Sequence, residues 1–224
     1  QISDVHVGPM IGRKYLERVV AMVQEQKPDL IAVTGDVVDG SVAQLASDVA
    51  PLGALRAAHG VHYCTGNHEY FSGVTQWIQE FRRLGMHVYE NSHQVLRVGK
   101  APLVVAGIHD PSGTRFAPDH VSDPHLAVRG APQNALKILL AHQPKSCFEA
   151  ADAGFDLMLS GHTHGGQFFP WNIFVALVQT YLRGLNRHDN RLWVYVNQGT
   201  GYWGPPIRLG LPSEVTLLTL TSKS

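Results

Sequence analysis

The sequence predicts an α/β fold in which two β-sheets pack on each other and helices lie outside. Helix-patterned and strand-patterned segments alternate through residues 14–84. After Gly85 the strand candidates become short and are separated by Asn, Gly and Pro turns. Further apolar runs, too short for helices, then continue towards the end of the chain, which argues against a purely doubly wound sheet.

Taken in order, residues 14–26 place Leu16, Val19, Val20 and Val23 at helical spacing. Pro28 and Asp29 stop that helix, and Leu30-Ile31-Ala32-Val33 reads as a buried strand running into Thr34-Gly35-Asp36. A second helix is expected over 43–57 and a strand over 61–64, the latter ending at Gly66-Asn67-His68. Residues 74–84 form a third helical pattern with Gly85 as its stop signal. Short strands follow at 88–90, 94–98 and 103–108, and 113–131 reads as a long polar loop with room for one helical turn. Strands at 136–141, 157–160, 192–197 and 215–220 complete the pattern.

The chain of 224 residues, 44% hydrophobic and 16% charged, suits one domain spanning 1–224, with no composition break that forces a split. Lys+Arg and Asp+Glu both total 18, so nucleic acid is not a favoured partner: phosphate neutralisation calls for a basic excess. Cys64 and Cys147 sit in apolar surroundings and read as buried free thiols rather than a disulfide framework. Gln1-Ile2-Ser3 reads as the tail of a strand, so a truncated N-terminus with a membrane segment upstream is an expectation. Cytoplasmic and membrane-associated placements both stay open.

Five separated segments carry the chemistry: Asp4-Val5-His6, Gly35-Asp36-Val37-Val38-Asp39, Gly66-Asn67-His68-Glu69, Ala141-His142 and Gly161-His162-Thr163-His164. Each follows a strand-like run and offers oxygen or imidazole donors, the types divalent first-row metals prefer. A pair of ions needs one shared ligand, and a carboxylate with two charged oxygens suits that task, so Asp36 is the expected bridge. Asp4 and His6, alternate residues at a strand end, point to one side and grip one ion. Asn67 and His142 serve the other, while His162 and His164 reach one each. Any one of the thirteen histidines alone would read as an ordinary core or surface residue; His59, His62, His87, His93, His120, His125 and His188 keep that reading. His109 with Asp110 also ends a strand; an ordinary structural role is the leading reading there, and a place near the site the alternative.

These motifs, D-x-H, G-D-x-x-D, G-N-H-E, H and G-H-T-H, resemble the calcineurin-like metallophosphoesterase superfamily, in the family's order and over nearly the whole chain. The resemblance implies a four-layer αββα sandwich of two mixed sheets flanked by helices. It implies two divalent metal ions (Mn, Fe, Zn, Co or Ni), with Asp4, His6 and His164 on one, Asn67, His142 and His162 on the other, and Asp36 between. His68 becomes the catalytic histidine beside the leaving group, with Asp39 and Glu69 orienting it or the ligands. It further implies hydrolysis of a phosphate ester, a phosphodiester or pyrophosphate bond, by a hydroxide held between the metals.

Gly40 follows Asp39 where Ser/Thr protein phosphatases carry an arginine, which disfavours that branch. The runs Gly161 to Gln167, Gly107-Ile108-His109-Asp110-Pro111 and Asn197-Gln198-Gly199-Thr200-Gly201 resemble a bacterial, often membrane-associated branch that includes a UDP-2,3-diacylglucosamine hydrolase; His109 departs from the acidic residue expected there. The alternatives are a phosphomonoesterase on the same centre and a non-catalytic binding module. The apolar segment 168–182, from Phe168 to Leu182, reads either as a core helix or as a contact with lipid-linked substrate or a membrane surface.

Overall fold

In the computed structural model, which describes residues 1–99 and 101–221, two sheets lie face to face with helices on their outer sides. The first half runs α1 (Arg13–Glu25), β1 (Ile31–Thr34), α2 (Val42–Val49), β2 (Val61–Cys64), α3 (Asn67–Phe71), α4 (Val74–Arg83) and β3 (His87–Val88). β1, β2 and β3 pair in parallel in that order, and the N-terminal run joins the β1 edge through parallel bridges from Ile2 to Val33 and Val7 to Val38.

The second half runs β4 (Ser92–Val98), β5 (Ala101–Gly107), α5 (Pro124–Val128), β6 (Leu136–Leu140), α6 (Cys147–Asp152), β7 (Leu157–Ser160), α7 (Trp171–Val178), β8 (Gly184–Arg187) and β9 (Trp193–Val196). These strands make a sheet of order β4-β5-β6-β7-β9-β8, parallel inside and antiparallel at both outer pairs. Only this larger sheet is mixed; the smaller is parallel at every named pairing.

The period-2 alternation of strand side chains builds three apolar layers. Ile31, Val33, Val61 and Tyr63 face Leu16, Val19, Val49, Trp77 and Phe81 of the first helices. Ala32, Cys64, Val105, Ile138 and Leu140 fill the space between the sheets. Leu139, Met158, Val194 and Val196 turn outward onto Cys147, Ala150 and Phe155. Both cysteines are buried and free. Because β1, β2, β5, β6, β7 and β9 end on the same side, the turns that follow them share one edge of the sandwich, the usual ligand-binding edge of α/β sheets.

Several expectations need correction. The helix expected over 43–57 leaves α geometry after Val49, where Pro51 sits in a 3₁₀ turn spanning Ala50–Ala54. The strand expected over 215–220 is absent; Thr216 instead exchanges hydrogen bonds with Gln1, its N–H to the Gln1 carbonyl at 3.0 Å and its carbonyl taking the Gln1 amine at 2.7 Å. The loop at 113–131 holds a 3₁₀ turn and the short helix α5. Helices α3 and α6 and the edge strand β8 were not expected. The core-helix reading of 168–182 fails, because α7 buries none of its residues.

Candidate metal centre

Local backbone decides where the donors point. Asp4, His6, Asp36, His162 and His164 all hold positive φ, between 51° and 70°, a region L-residues other than Asn, Asp and Gly avoid. Strain of this kind persists where the surroundings over-determine it, commonly at functional sites. Gly35, at φ 80°, lets the β1 turn pass within contact of its neighbour: a Cβ there would lie 2.5 Å from the Gly66 nitrogen and 2.9 Å from His142 Nδ1. A Cβ on Gly161 would overlap Ser3 and the Asp4 carboxylate.

Three overlapping donor groups result; His6, Asp36 and His68 form the one that links the other two. In the first, one ligand atom each of Asp4, His6 and His164 lie within 4.8 Å of one another, with His6 Nε2 and His164 Nε2 3.0 Å apart and Asp4 Oδ1 3.4 Å from His164 Nε2. In the second, Asp36, His142 and His162 converge likewise, Asp36 Oδ2 lying 3.0 Å from His142 Nε2. The same Oδ2 is 4.0 Å from His6 Nε2 and 3.9 Å from His68 Nε2, so Asp36 reaches towards both groups.

The chemistry of these donors fits cations. His142 Nδ1 donates to the Thr34 carbonyl at 2.7 Å, so in the neutral ring Nε2 carries a lone pair facing a carboxylate oxygen. Two lone pairs oppose across 3.0 Å unless a proton or a metal ion stands between them, and among the described residues Nε2 makes no hydrogen bond. Asn67 Oδ1 is likewise buried without a partner among those residues. Burial opposes charge on Asp36 and on His142 alike, but their mutual attraction wins, holding Asp36 below the carboxylate range and His142 above the imidazole range. Burial pulls His164 down to about 3 and also lowers His162, which keeps both rings neutral.

The remaining expected residues act through these. Asp39 Oδ1 accepts from His68 Nδ1 at 2.6 Å and from His6 Nδ1 at 3.0 Å, turning both Nε2 atoms towards Asp36. Burial alone would lower His68, yet the Asp39 hydrogen bond and the charges of Asp36 and Asp39 raise it. Glu69 is fully buried and accepts three backbone N–H groups: Asp36 at 3.0 Å, Val37 at 2.7 Å and Gly66 at 2.7 Å. It thereby staples the β1 turn to the β2 turn. Burial, then the Asp36 charge, push its carboxyl up to about 7.

Arg208 was not singled out in the sequence, and nothing beside it in Pro205-Pro206-Ile207-Arg208 would have flagged it. Its guanidinium donates to the carbonyls of His164, Gln198, Gly199 and Gly201 and to His164 Nδ1 at 3.0 Å. A guanidinium only donates, so the neutral His164 ring keeps its proton on Nε2. That ring must shed a proton or shift before gripping a cation through Nε2. Asp110 lies close by, accepting from Gln143, the neighbour of His142, at 2.9 and 3.0 Å, whereas His109 turns to Tyr70 and His120.

Comparison with known proteins agrees with this picture. A family model for calcineurin-like phosphoesterases matches residues 1–166. A zebrafish transmembrane protein with metallophosphoesterase domain is 38% identical over 226 residues, covering 98% of this chain and 52% of its own length. An uncharacterized metallophosphoesterase of Helicobacter pylori (strain J99) is 35% identical over 224 residues, covering 100% of this chain and 59% of its own. The chain thus spans little more than half the length of these relatives, and they are not confined to bacteria. Among solved structures, the calcineurin-like phosphoesterase YfkN from Bacillus subtilis superposes with TM-score 0.55 at 15% identity, covering 88% of this chain and 78% of its own. A 5'-nucleotidase precursor from Thermus thermophilus gives TM-score 0.56 at 18% identity, covering 88% and 47%. Members of the matched family use a pair of divalent cations, and the donor groups around Asp36 are of the kind such a pair requires. The chain belongs to the calcineurin-like phosphoesterase family.

Proposed function

We propose that this chain hydrolyses phosphate esters, most readily diesters, with Asp4, His6 and His164 holding one divalent cation, Asn67, His142 and His162 the other, and Asp36 both. The observation that carries the reading is Asp36 itself, one buried carboxylate oxygen facing His142 on one side and His6 and His68 on the other. The cations, when bound, supply an activated water and neutralise the phosphoryl oxygens. His68 stands ready to give its proton to the departing oxygen, since Asp39 fixes Nδ1 and leaves Nε2 facing the centre. Glu69 and Asp39 keep the two turns and both imidazoles in place.

Two observations support a diester over a monoester. A monoester brings one more negative charge, yet the guanidinium bonded to a candidate ligand, Arg208, is taken up by backbone carbonyls. Gly40 also stands where protein phosphatases carry an arginine. Paired assays of the metal-loaded chain on bis-p-nitrophenyl phosphate and p-nitrophenyl phosphate test this: the diester should turn over faster, and preference for the monoester would overturn it.

The substrate is proposed to be lipid-linked, as for a UDP-2,3-diacylglucosamine hydrolase, and met at a membrane surface. On α7, Trp171, Ile173, Phe174, Leu177 and Val178 are all exposed, and Trp203, exposed as well, sets its ring 6.3 Å from His68. Gln167 ties this wall to the site, its amide donating to the Trp203 carbonyl at 2.7 Å. An apolar surface of this kind beside a polar centre supports an acyl-chain or membrane contact. Among the described residues no helix is long and apolar enough to cross a membrane. Serine at both Phe174 and Leu177 should spare small-substrate rates and lower activity on acylated substrates; equal rates on both would refute the contact.

A further inference from the structure

Another group of donors lies apart from Asp36. Glu90 follows β3, His109 follows β5, and His120 sits in the loop before α5; one ligand atom from each lies within 4.8 Å of the other two. The imidazoles stack with centroids 4.1 Å apart and planes 26° from parallel. The Tyr70 hydroxyl meets Nδ1 of His120 at 3.0 Å and Nδ1 of His109 at 3.3 Å. Nε2 is therefore the nitrogen each ring has free, and among the described residues neither Nε2 makes a hydrogen bond. Glu90 pairs with Arg82 through Oε2 and, among the described residues, with neither imidazole.

Three donors thus face one another without satisfying one another. Ligands around a cation with bonds of about 2.1 Å lie about 3.4 Å apart in a tetrahedron, inside that 4.8 Å limit. The backbone is prepared for it. Asn91, next to Glu90, holds φ at 48°, and its side-chain oxygen accepts the N–H of His109 at 3.4 Å and of Asp123 at 3.1 Å, pinning both ends of the loop that carries His120.

We propose that Glu90, His109 and His120 form a third divalent transition-metal site, suited to zinc, cobalt or nickel, separate from the pair that meets on Asp36. Two imidazoles and a carboxylate are the donors such ions favour, and Tyr70 is the positioning residue that orients both rings. The site would fasten the 109–120 loop to α3, which carries His68: Phe116 of that loop packs edge-on against Phe71 at 5.3 Å, and Phe71 against His68 at 5.3 Å.

The test is cobalt titration of the metal-free full chain, read by elemental analysis after gel filtration and by visible absorption. Wild type should retain one cobalt per chain more than His120→Ala or Glu90→Gln, whether or not the Asp36 sites fill. His125→Ala, which removes an exposed histidine, should keep that extra ion. Tyr70→Phe should weaken it about 10-fold. Equal cobalt in wild type, His120→Ala and Glu90→Gln would overturn the proposal. Should His120→Ala fail to fold, Glu90→Gln, at a side chain one-third exposed, decides alone.

Discussion

Replacing Glu69 with glutamine removes one oxygen from the staple between the β1 and β2 turns while keeping the volume. In the native chain Oε2 accepts from Asp36 and Gly66, and Oε1 from Val37. Glutamine keeps one acceptor and turns an NH₂ group towards a backbone N–H, so at least one buried donor loses its partner. A hydrogen bond to a charged group is worth about 1.5–3 kcal/mol, and an orphaned buried donor costs about 1–3 kcal/mol. Relief of the repulsion between Glu69 and Asp36 offsets part of this, on the order of 1 kcal/mol, leaving a loss of about 3 kcal/mol. With a urea m-value of about 3 kcal/mol per molar, the unfolding midpoint should fall by about 1 M. Metal affinity should fall too, because the same carboxylate sets the backbone of Asp36. Urea unfolding of the metal-free chain, with metal titration of the folded form, reads both. An unchanged midpoint with unchanged metal affinity would refute the staple.

Three further outcomes are expected. His68→Ala should lower turnover about 10²–10⁴-fold while metal content by elemental analysis stays at the wild-type level; equal loss of both would make His68 a ligand. His62 is fully buried, bonded to Tyr89 and the His59 carbonyl, and burial pulls it down to about 4. The unfolded chain takes up that proton near its ordinary 6.5, so stability should fall by about 3 kcal/mol as pH drops from about 6.5 to about 4. Urea midpoints at pH 7 and 4.5 should show a flatter dependence in His62→Gln, and identical dependence would contradict the sign. Arg208→Met leaves four carbonyls without their donor and should lower stability by about 2–4 kcal/mol, with Arg208→Lys recovering little because one ammonium cannot reproduce the fork; near-native unfolding midpoints in either variant would show those bonds to be dispensable.

The strand-end donors stand out because each follows an apolar run, and three of the five segments add a glycine just before the donor: Gly35-Asp36, Gly66-Asn67 and Gly161-His162. Strand-versus-helix alternation was legible for the same reason, since β1 and β2 are buried on both faces. What escaped depends on partners distant in the chain. Arg208 gains its place only when 198–201 folds over it. His120 reads as a surface histidine until β5 and α3 bring His109 and Tyr70 beside it. Gly-Leu-Asn-Arg of β8 has little strand character and is held by pairing with β9. The converse holds at 215–220, where apolar residues suggest a strand but, among the described residues, the Thr216 backbone pairs with Gln1 alone.

The left-handed twist shared by Asp4, His6, Asp36, His162 and His164 ties backbone strain to metal binding at five positions. For a histidine that conformation costs on the order of 1 kcal/mol that glycine does not incur. Swapping such a donor for glycine relieves the strain as it empties the centre, while at Asp4 and Asp36 the orphaned N–H groups of His162 and His68 oppose the gain. Selection of this domain for heat resistance alone exerts no pull to keep the ligands, so a thermostabilisation campaign must screen for metal retention at every round.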